Sequence, residues 1–391
     1  MNILFINSFD VSPHLGGTER ITDTLCKEFS KSNKNKCFLA YYNNIDNRYI
    51  LTKFTDKIHL KNHRQINNLI TFIKKHNINV AILQGQFNLA KDLRKAFPDD
   101  QNFKIIFAHH LFPGVETSLM KVSYVIPAKI KLKNILQTII MVSIFPFIKL
   151  YKRYLFPRYY NNTYLYSNNV VLLSKQLIEP FMNYGKIHEY KKFAIIHNAL
   201  SYNDFYPTEK LDKKKKKILI VSRLVENPKR ILFAIKAWEK IYKDYPTWTL
   251  TIIGTGADEH LYKRYCIKRN IKNIFFEGNK DPKDYYMDAS IFLMTSKLES
   301  WGLTITEAQQ FGVVPIALNS YPTLPEIITN EQNGIIIKDN DLSAYTNAIK
   351  LLINNDQLRK EYAINAIISA KRFKSDIISK QWINLIQQKS I

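Results

Sequence analysis

Short runs that are apolar at almost every position recur along this chain, each followed by a stretch of helical periodicity. Asn2 to Ile6, Cys37 to Tyr41, Val80 to Leu83, Lys104 to Ala108, Asn169 to Ser174 and Phe193 to Asn198 are such runs in the first half. Lys217 to Ser222, Thr249 to Gly256, Asn273 to Gly278 and Ile291 to Thr295 continue the series. A strand without polar alternation is covered on both faces, so the pattern predicts parallel sheets between helix layers, an α/β fold. A chain of 391 residues exceeds what one core usually supports. Ser201 to Lys217 is polar, lysine-rich and holds Pro207, which marks a linker over 201–216 between domains at 1–200 and 217–374.

Composition removes several classes. With 46% hydrophobic residues the chain is not globally disordered. Cys26, Cys37 and Cys266 have neither metal-ligand spacing nor a paired framework, which predicts core thiols and a reducing, cytoplasmic location. Met1 to Asn7 reads as a strand and not as a signal peptide. The net charge of +24 fits nucleic acid, an anionic membrane face or acidic substrates. Its distribution favours the membrane. Lys121, Lys129, Lys131, Lys133, Lys149, Lys152, Arg153 and Arg158 lie among aromatic and aliphatic residues in 121–158, with no acidic residue. That segment reads as a surface for anionic lipid, with nucleic acid not expected as a partner. Asn134 to Ile148 is too short to span a bilayer and holds Pro146; an ordinary buried helix pair stands beside the interfacial reading. The lysines from Lys213 to Lys217 read as a solvated linker.

The chemistry concentrates where the strand Ile291 to Thr295 meets a helix expected over Thr304 to Phe311. Glu299 and Glu307, with seven residues between them, bracket a glycine turn. The amides of Ser300, Trp301, Gly302 and Leu303 belong to a helix N-terminus, which favours an anion. A diphosphate on the amides with carboxylates accepting from ribose and sugar hydroxyls suits a nucleotide sugar. Other strand-end loops offer partners for it. Gly16 and Gly17 permit close backbone approach. His109 and His110 can bond a sugar hydroxyl. Arg223 and Lys229 can neutralise a diphosphate. Thr249 to Gly256 lacks the spacing and downstream acid of a dinucleotide fingerprint, so NAD is not expected. No compact Asp-x-Asp suggests a metal, and none is expected.

Glu299-Ser-Trp-Gly-Leu-Thr-Ile-Thr-Glu307, followed by Phe311-Gly-Val-Val-Pro-Ile-Ala317, resembles the paired-glutamate region of family 4 glycosyltransferases, the group 1 glycosyl transferases. Gly16-Gly17-x-Glu19-Arg20, Ser222-Arg223-Leu224 with Lys229-Arg230, and Asn333-Gly334-Ile-Ile-Ile337 support the resemblance, which runs nearly end to end. It implies the GT-B fold, two Rossmann-like domains facing across a cleft, with 375–391 crossing back to the first. It implies a retaining hexosyl transfer from a UDP- or GDP-sugar, without a further cofactor. Carried to this sequence, Glu307 binds ribose, Glu299 lies by the donor sugar, and Gly302 and Leu303 approach the diphosphate. Arg223 and Lys229 stabilise the leaving group, while Gly16 and Gly17 border the sugar and acceptor. His110 matches a histidine three residues before a proline, here Pro113, with His109 in reserve. The hinge Ile195-Ile-His-Asn-Ala199 lacks the flanking prolines of relatives, and one extra residue separates Arg223 from Lys229. A lipid-linked glycan in bacterial capsule, O-antigen or lipopolysaccharide assembly is the expected acceptor, at the inner face of the membrane. A GT-B nucleotide-sugar epimerase and a noncatalytic basic membrane-binding protein are the alternatives.

Overall fold

The computed structural model describes residues 1–12, 16–45, 52–98, 102–118, 120 and 135–388. Among the described residues thirteen strands form two sheets, and every pairing is parallel. The first holds β1 (Asn2–Phe9), β2 (Lys36–Asn43), β3 (Asp56–His59), β4 (Val80–Gln84), β5 (Lys104–His109), β6 (Asn169–Leu172) and β7 (Phe193–Ile195). Its order is β3-β2-β1-β4-β5-β6-β7. The second holds β8 (Lys217–Val221), β9 (Thr249–Ile253), β10 (Ile274–Gly278), β11 (Ile291–Met294), β12 (Val314–Asn319) and β13 (Ile335–Lys338), in the order β10-β9-β8-β11-β12-β13. The parallel sheets expected from the apolar runs are therefore present. Contact density divides the chain into a unit of Met1–Ser12, Phe29–Ile196 and Trp382–Ile391 and a unit of Pro13–Glu28 and His197–Gln381.

In each sheet the strand order reverses beside the first strand of the series. β1 lies between β2 and β4, and β8 lies between β9 and β11. Parallel sheets open a crevice at such a point, outside the carboxyl ends of the two strands. In the second unit these ends lead to Arg223 and to the loop carrying Glu299. The core beneath is apolar throughout: Ile218, Ile220, Leu250, Ile252, Ile291, Leu293, Ile316 and Leu318 are all buried. Gly254 and Gly256, which follow β9, serve packing. A Cβ at Gly254 would come 1.9 Å from the Ser222 carbonyl oxygen, and one at Gly256 2.3 Å from that of Leu224.

A helix over Ile231–Glu239 follows the Arg230 turn, and turns carry the chain on to Pro246. Two expectations change. The lysine run near 213–217 is not simply solvated. Lys214 Nζ donates to the Tyr286 carbonyl at 2.7 Å, and burial pulls its pKa down to about 7. Lys215 and Lys217 pair with Asp288 at 2.8 and 3.0 Å. The segment read as a possible buried helix pair is one helix, Ile135–Tyr166, with Pro146 and Pro157 inside it. Tyr160, Thr163 and Tyr164 anchor its second half. Phe147 is 72% exposed, and Ile139, Leu150, Tyr151 and Tyr154 are also exposed. No helix among the described residues is long and apolar enough to cross a membrane. Lys121, Lys129, Lys131 and Lys133 lie outside the described residues.

Candidate functional site

The second unit gathers most of the residues singled out above. β11 ends at Met294, and the chain beyond it is stitched to the segment that follows β8. Lys297 donates its amide to the Pro228 carbonyl at 2.8 Å, and Thr295 Oγ1 donates to the Lys229 carbonyl at 3.0 Å. Arg230, in left-handed conformation (φ +51°), completes the tie. Its guanidinium donates to the Thr295 carbonyl at 2.8 Å, to Asp339 at 2.7 Å and to Asn340 at 3.1 Å. The stitching brings Lys229 Nζ onto Glu299 Oε1 as a largely buried ion pair. Arg223 is exposed, two residues past the end of β8.

The helix expected over Thr304 to Phe311 spans Leu303–Gln310. Gly302 precedes it as N-cap with φ +102°, a conformation that only glycine adopts without strain. The Ile305 and Thr306 amides donate to the Gly302 carbonyl at 2.9 and 3.4 Å, so the amides ahead of them are the donors left for whatever lies in front. Trp301 is buried and stacks on His197, with ring centroids 4.5 Å apart and an interplanar angle of 20°. Phe373 meets Trp301 edge-on at 5.2 Å.

Glu307 differs from a carboxylate waiting at a surface. It is fully buried and already engaged. Oε1 pairs with Arg20 and accepts from Ser201 Oγ at 2.7 Å, while Oε2 accepts from Tyr286 Oη at 3.2 Å. Arg20 Nη2 also donates to Ser201 Oγ at 2.9 Å. Arg20 lies on the helix Gly17–Phe29. A Cβ on Gly17 would stand 3.2 Å from Leu303 Cδ1, so the Gly16-Gly17 turn does lie at the entrance of the Leu303–Gln310 helix. Arg20, Ser201 and Tyr286 were not singled out as site residues. Arg20 was visible as the end of the glycine motif; Ser201 and Tyr286 carry no local signal.

In the first unit the two histidines separate in role. His109 ends β5, is 1% exposed and belongs to the core. Its Nε2 lies 3.1 Å from Tyr160 Oη, which donates to Glu116 at 2.9 Å and accepts the Gly114 amide at 3.0 Å. Burial and Glu116 hold the Tyr160 phenol protonated. His110 begins the loop after β5, with Nε2 against Gln84 Oε1. Burial, reinforced by His109, pushes its pKa down to about 4, so the imidazole is neutral near pH 7.

Residues 203–368 match the family described as Glycosyl transferases group 1. The chain carries a group 1 glycosyl transferase domain. An uncharacterized glycosyltransferase of Haemophilus influenzae is 25% identical over 186 residues, 47% of this chain and 53% of that protein. The amylovoran biosynthesis glycosyltransferase AmsD of Erwinia amylovora is 25% identical over 196 residues, 49% of this chain and 53% of that protein. The chain thus spans about half the length of these curated relatives. A variant of S. aureus TarM, crystallised with fondaparinux, alpha-GlcNAc-glycerol and UDP, superposes with a TM-score of 0.73. It shares 13% identity, and the match covers 99% of this chain and 100% of that one. The shared fold is the GT-B class expected from the sequence. The span matched by the group 1 profile contains Arg223, Lys229, Glu299, Gly302, Leu303 and Glu307; Gly16, Gly17, Arg20 and His110 lie outside it.

Proposed function

We propose that the protein is a retaining, family 4-type glycosyltransferase that moves a sugar from a nucleoside diphosphate to an acceptor hydroxyl in bacterial surface polysaccharide synthesis. The observation that carries this reading is the bracket of Glu299 and Glu307 around the Gly302 turn, with Lys229 fixed on Glu299. Diphosphate oxygens occupy the first-turn amides, where helix dipole and unsatisfied donors favour an anion. Arg223 and Lys229 supply cations at the oxygen that gains charge when the sugar departs. A ribose hydroxyl takes a place at Glu307 now held by Ser201 or Arg20. Glu299 faces the sugar, with Gly16 and Gly17 along its acceptor side.

The chemistry needs no protein base. The bond from the anomeric carbon to the β-phosphate oxygen breaks, and the acceptor oxygen bonds that carbon on the same face. The acceptor proton passes to the departing phosphate oxygen, so orientation and charge stabilisation are the protein's contribution. A neutral His110 suits hydrogen bonding to a sugar hydroxyl better than proton donation at pH 7.

For the acceptor, the AmsD relative supports a polysaccharide pathway. The exposed apolar residues of the Ile135–Tyr166 helix, followed by Lys149, Lys152, Arg153 and Arg158, support a lipid-linked glycan met at an anionic membrane surface. The protein then works as a peripheral enzyme at the inner face. The test is thermal shift with UDP, GDP and their common sugars, followed by turnover of the stabilising donor. Glu307→Ala and Arg223→Ala abolish turnover on this reading; full turnover by both overturns it.

A further inference from the structure

Tyr321 stands two residues beyond the end of β12, the strand next to β11. Its loop is therefore neighbour to the one that carries Glu299 and Gly302. Only 3% of Tyr321 is exposed, yet its hydroxyl has no hydrogen-bond partner among the described residues. The hydroxyl lies 3.3 Å from where a Gly302 Cβ would stand, against the N-cap of the Leu303–Gln310 helix. Trp301, 2% exposed, likewise leaves Nε1 unpaired beside the same turn. Buried polar groups are almost always satisfied, because an unmade hydrogen bond costs the full desolvation of the group. Unspent donors at a helix N-terminus call for an acceptor, and an anion seated on the first-turn amides is one.

The phenol is equipped for that task. Burial, together with the nearby charge of Glu299, holds Tyr321 protonated, so it has a proton to donate. The hydroxyl makes no hydrogen bond to Glu299, whose Oε1 is held by Lys229. The Tyr321 hydroxyl borders Gly302, which is three residues from Glu299 and five from Glu307 along the turn, so it stands toward the sugar end of a donor whose ribose end is at Glu307. The phosphate at that end is the β-phosphate.

We infer that the Tyr321 hydroxyl is a donor-binding group that hydrogen-bonds the β-phosphate of the nucleoside diphosphate seated on the Gly302 turn. This assignment rests on the glycosyltransferase reading above. It adds a neutral donor to Arg223, Lys229 and the amides. A neutral donor can follow the phosphate from substrate to product without adding a cation beside Glu299.

Tyr321→Phe removes the hydroxyl and keeps the ring, so packing is preserved. Isothermal titration with UDP or GDP, whichever the wild type binds, is compared with UMP or GMP. The expected result is an unchanged melting temperature with diphosphate affinity about 10- to 150-fold lower, a range set by loss of one hydrogen bond to a charged group. Monophosphate affinity changes less than about twofold. Equal diphosphate affinity in variant and wild type overturns the assignment. So does an equal loss for diphosphate and monophosphate, or a loss seen only with the intact nucleotide sugar. If the wild type binds neither UDP nor GDP, the glycosyltransferase reading itself has failed; if it binds and Tyr321→Phe binds equally, only the tyrosine assignment has.

Discussion

Arg20 and Glu307 form an ion pair in which the carboxylate is wholly buried and the guanidinium is 18% exposed. Ser201 and Tyr286 complete the ring of donors around the same carboxylate. Removing one partner of a buried pair leaves an uncompensated charge, which costs about 3 kcal/mol or more. Arg20→Met is therefore expected to lower unfolding free energy by about 3 kcal/mol. Arg20→Met combined with Glu307→Leu recovers much of that loss while abolishing nucleotide binding. Urea denaturation of both single variants and the double variant measures the coupling. Strict additivity would show that the two residues do not act as a unit.

Lys229 depends on Glu299 for its position and on the loop bonds at Thr295 and Lys297 for its approach. Lys229→Met should reduce kcat on the order of 10²-fold, the usual effect of losing one group that stabilises transition-state charge. The melting temperature should fall as well, since Glu299 in that largely buried pair loses its cation, although the ties through Arg230 and the Lys229 carbonyl remain. A steady-state assay showing unchanged kcat with a raised KM would assign Lys229 to ground-state binding alone.

His110 carries a pH dependence whose sign follows from its lowered pKa. In the unfolded chain it takes a proton near pH 6.5, whereas in the folded protein it does so at about 4. Its contribution to stability is thus fully present above pH 6.5 and is lost as pH falls through 4. The slope in that window approaches about 1.4 kcal/mol per pH unit. His110→Asn has no such titration. Its stability profile between pH 7 and 4, read by chemical denaturation, should be flatter than that of the wild type by one proton. Parallel profiles would mean that His110 titrates normally.

The exposed half of the Ile135–Tyr166 helix predicts salt-sensitive binding to vesicles containing phosphatidylglycerol. Lys149→Gln with Lys152→Gln should weaken sedimentation with such vesicles by about 2 kcal/mol, near 1 kcal/mol for each basic residue at the surface. Phe147→Ser should weaken it further and leave the salt dependence alone. Vesicle binding indifferent to all three changes would remove this helix from the membrane reading.

Most strands buried on both faces were legible in the sequence, because such strands have few polar positions to confuse the pattern; β12 (Val314–Asn319), equally buried, and β13 (Ile335–Lys338) were read only as parts of motifs. β3 escaped detection: Asp56, Lys57, Ile58 and His59 make a half-exposed edge strand with hardly any apolar signal. The Glu299 to Glu307 turn was legible as a local motif of glycine and helix start. The donors that hold Glu307 were not, since Arg20, Ser201 and Tyr286 reach it from separate parts of the chain. The same holds for His109, whose core role depends on Tyr160, 51 residues away. Spacing along a chain shows which groups share a turn, whereas closure of a buried polar network is decided only by tertiary contact.

The two glycines after β9 have a consequence for how such a domain can diverge. Because Gly254 and Gly256 sit against the carbonyls of Ser222 and Leu224, any side chain at either position would push aside the backbone on both sides of Arg223. The reach of that cation is thus moulded by a turn some thirty residues downstream, and not by its own loop. Insertions or bulky replacements there would move the charge, whereas an exchange of the Arg223 side chain would not disturb the mould. If Arg223 meets an anionic leaving group as proposed, variation in that contact is therefore expected to arise through side-chain substitution on a constant backbone.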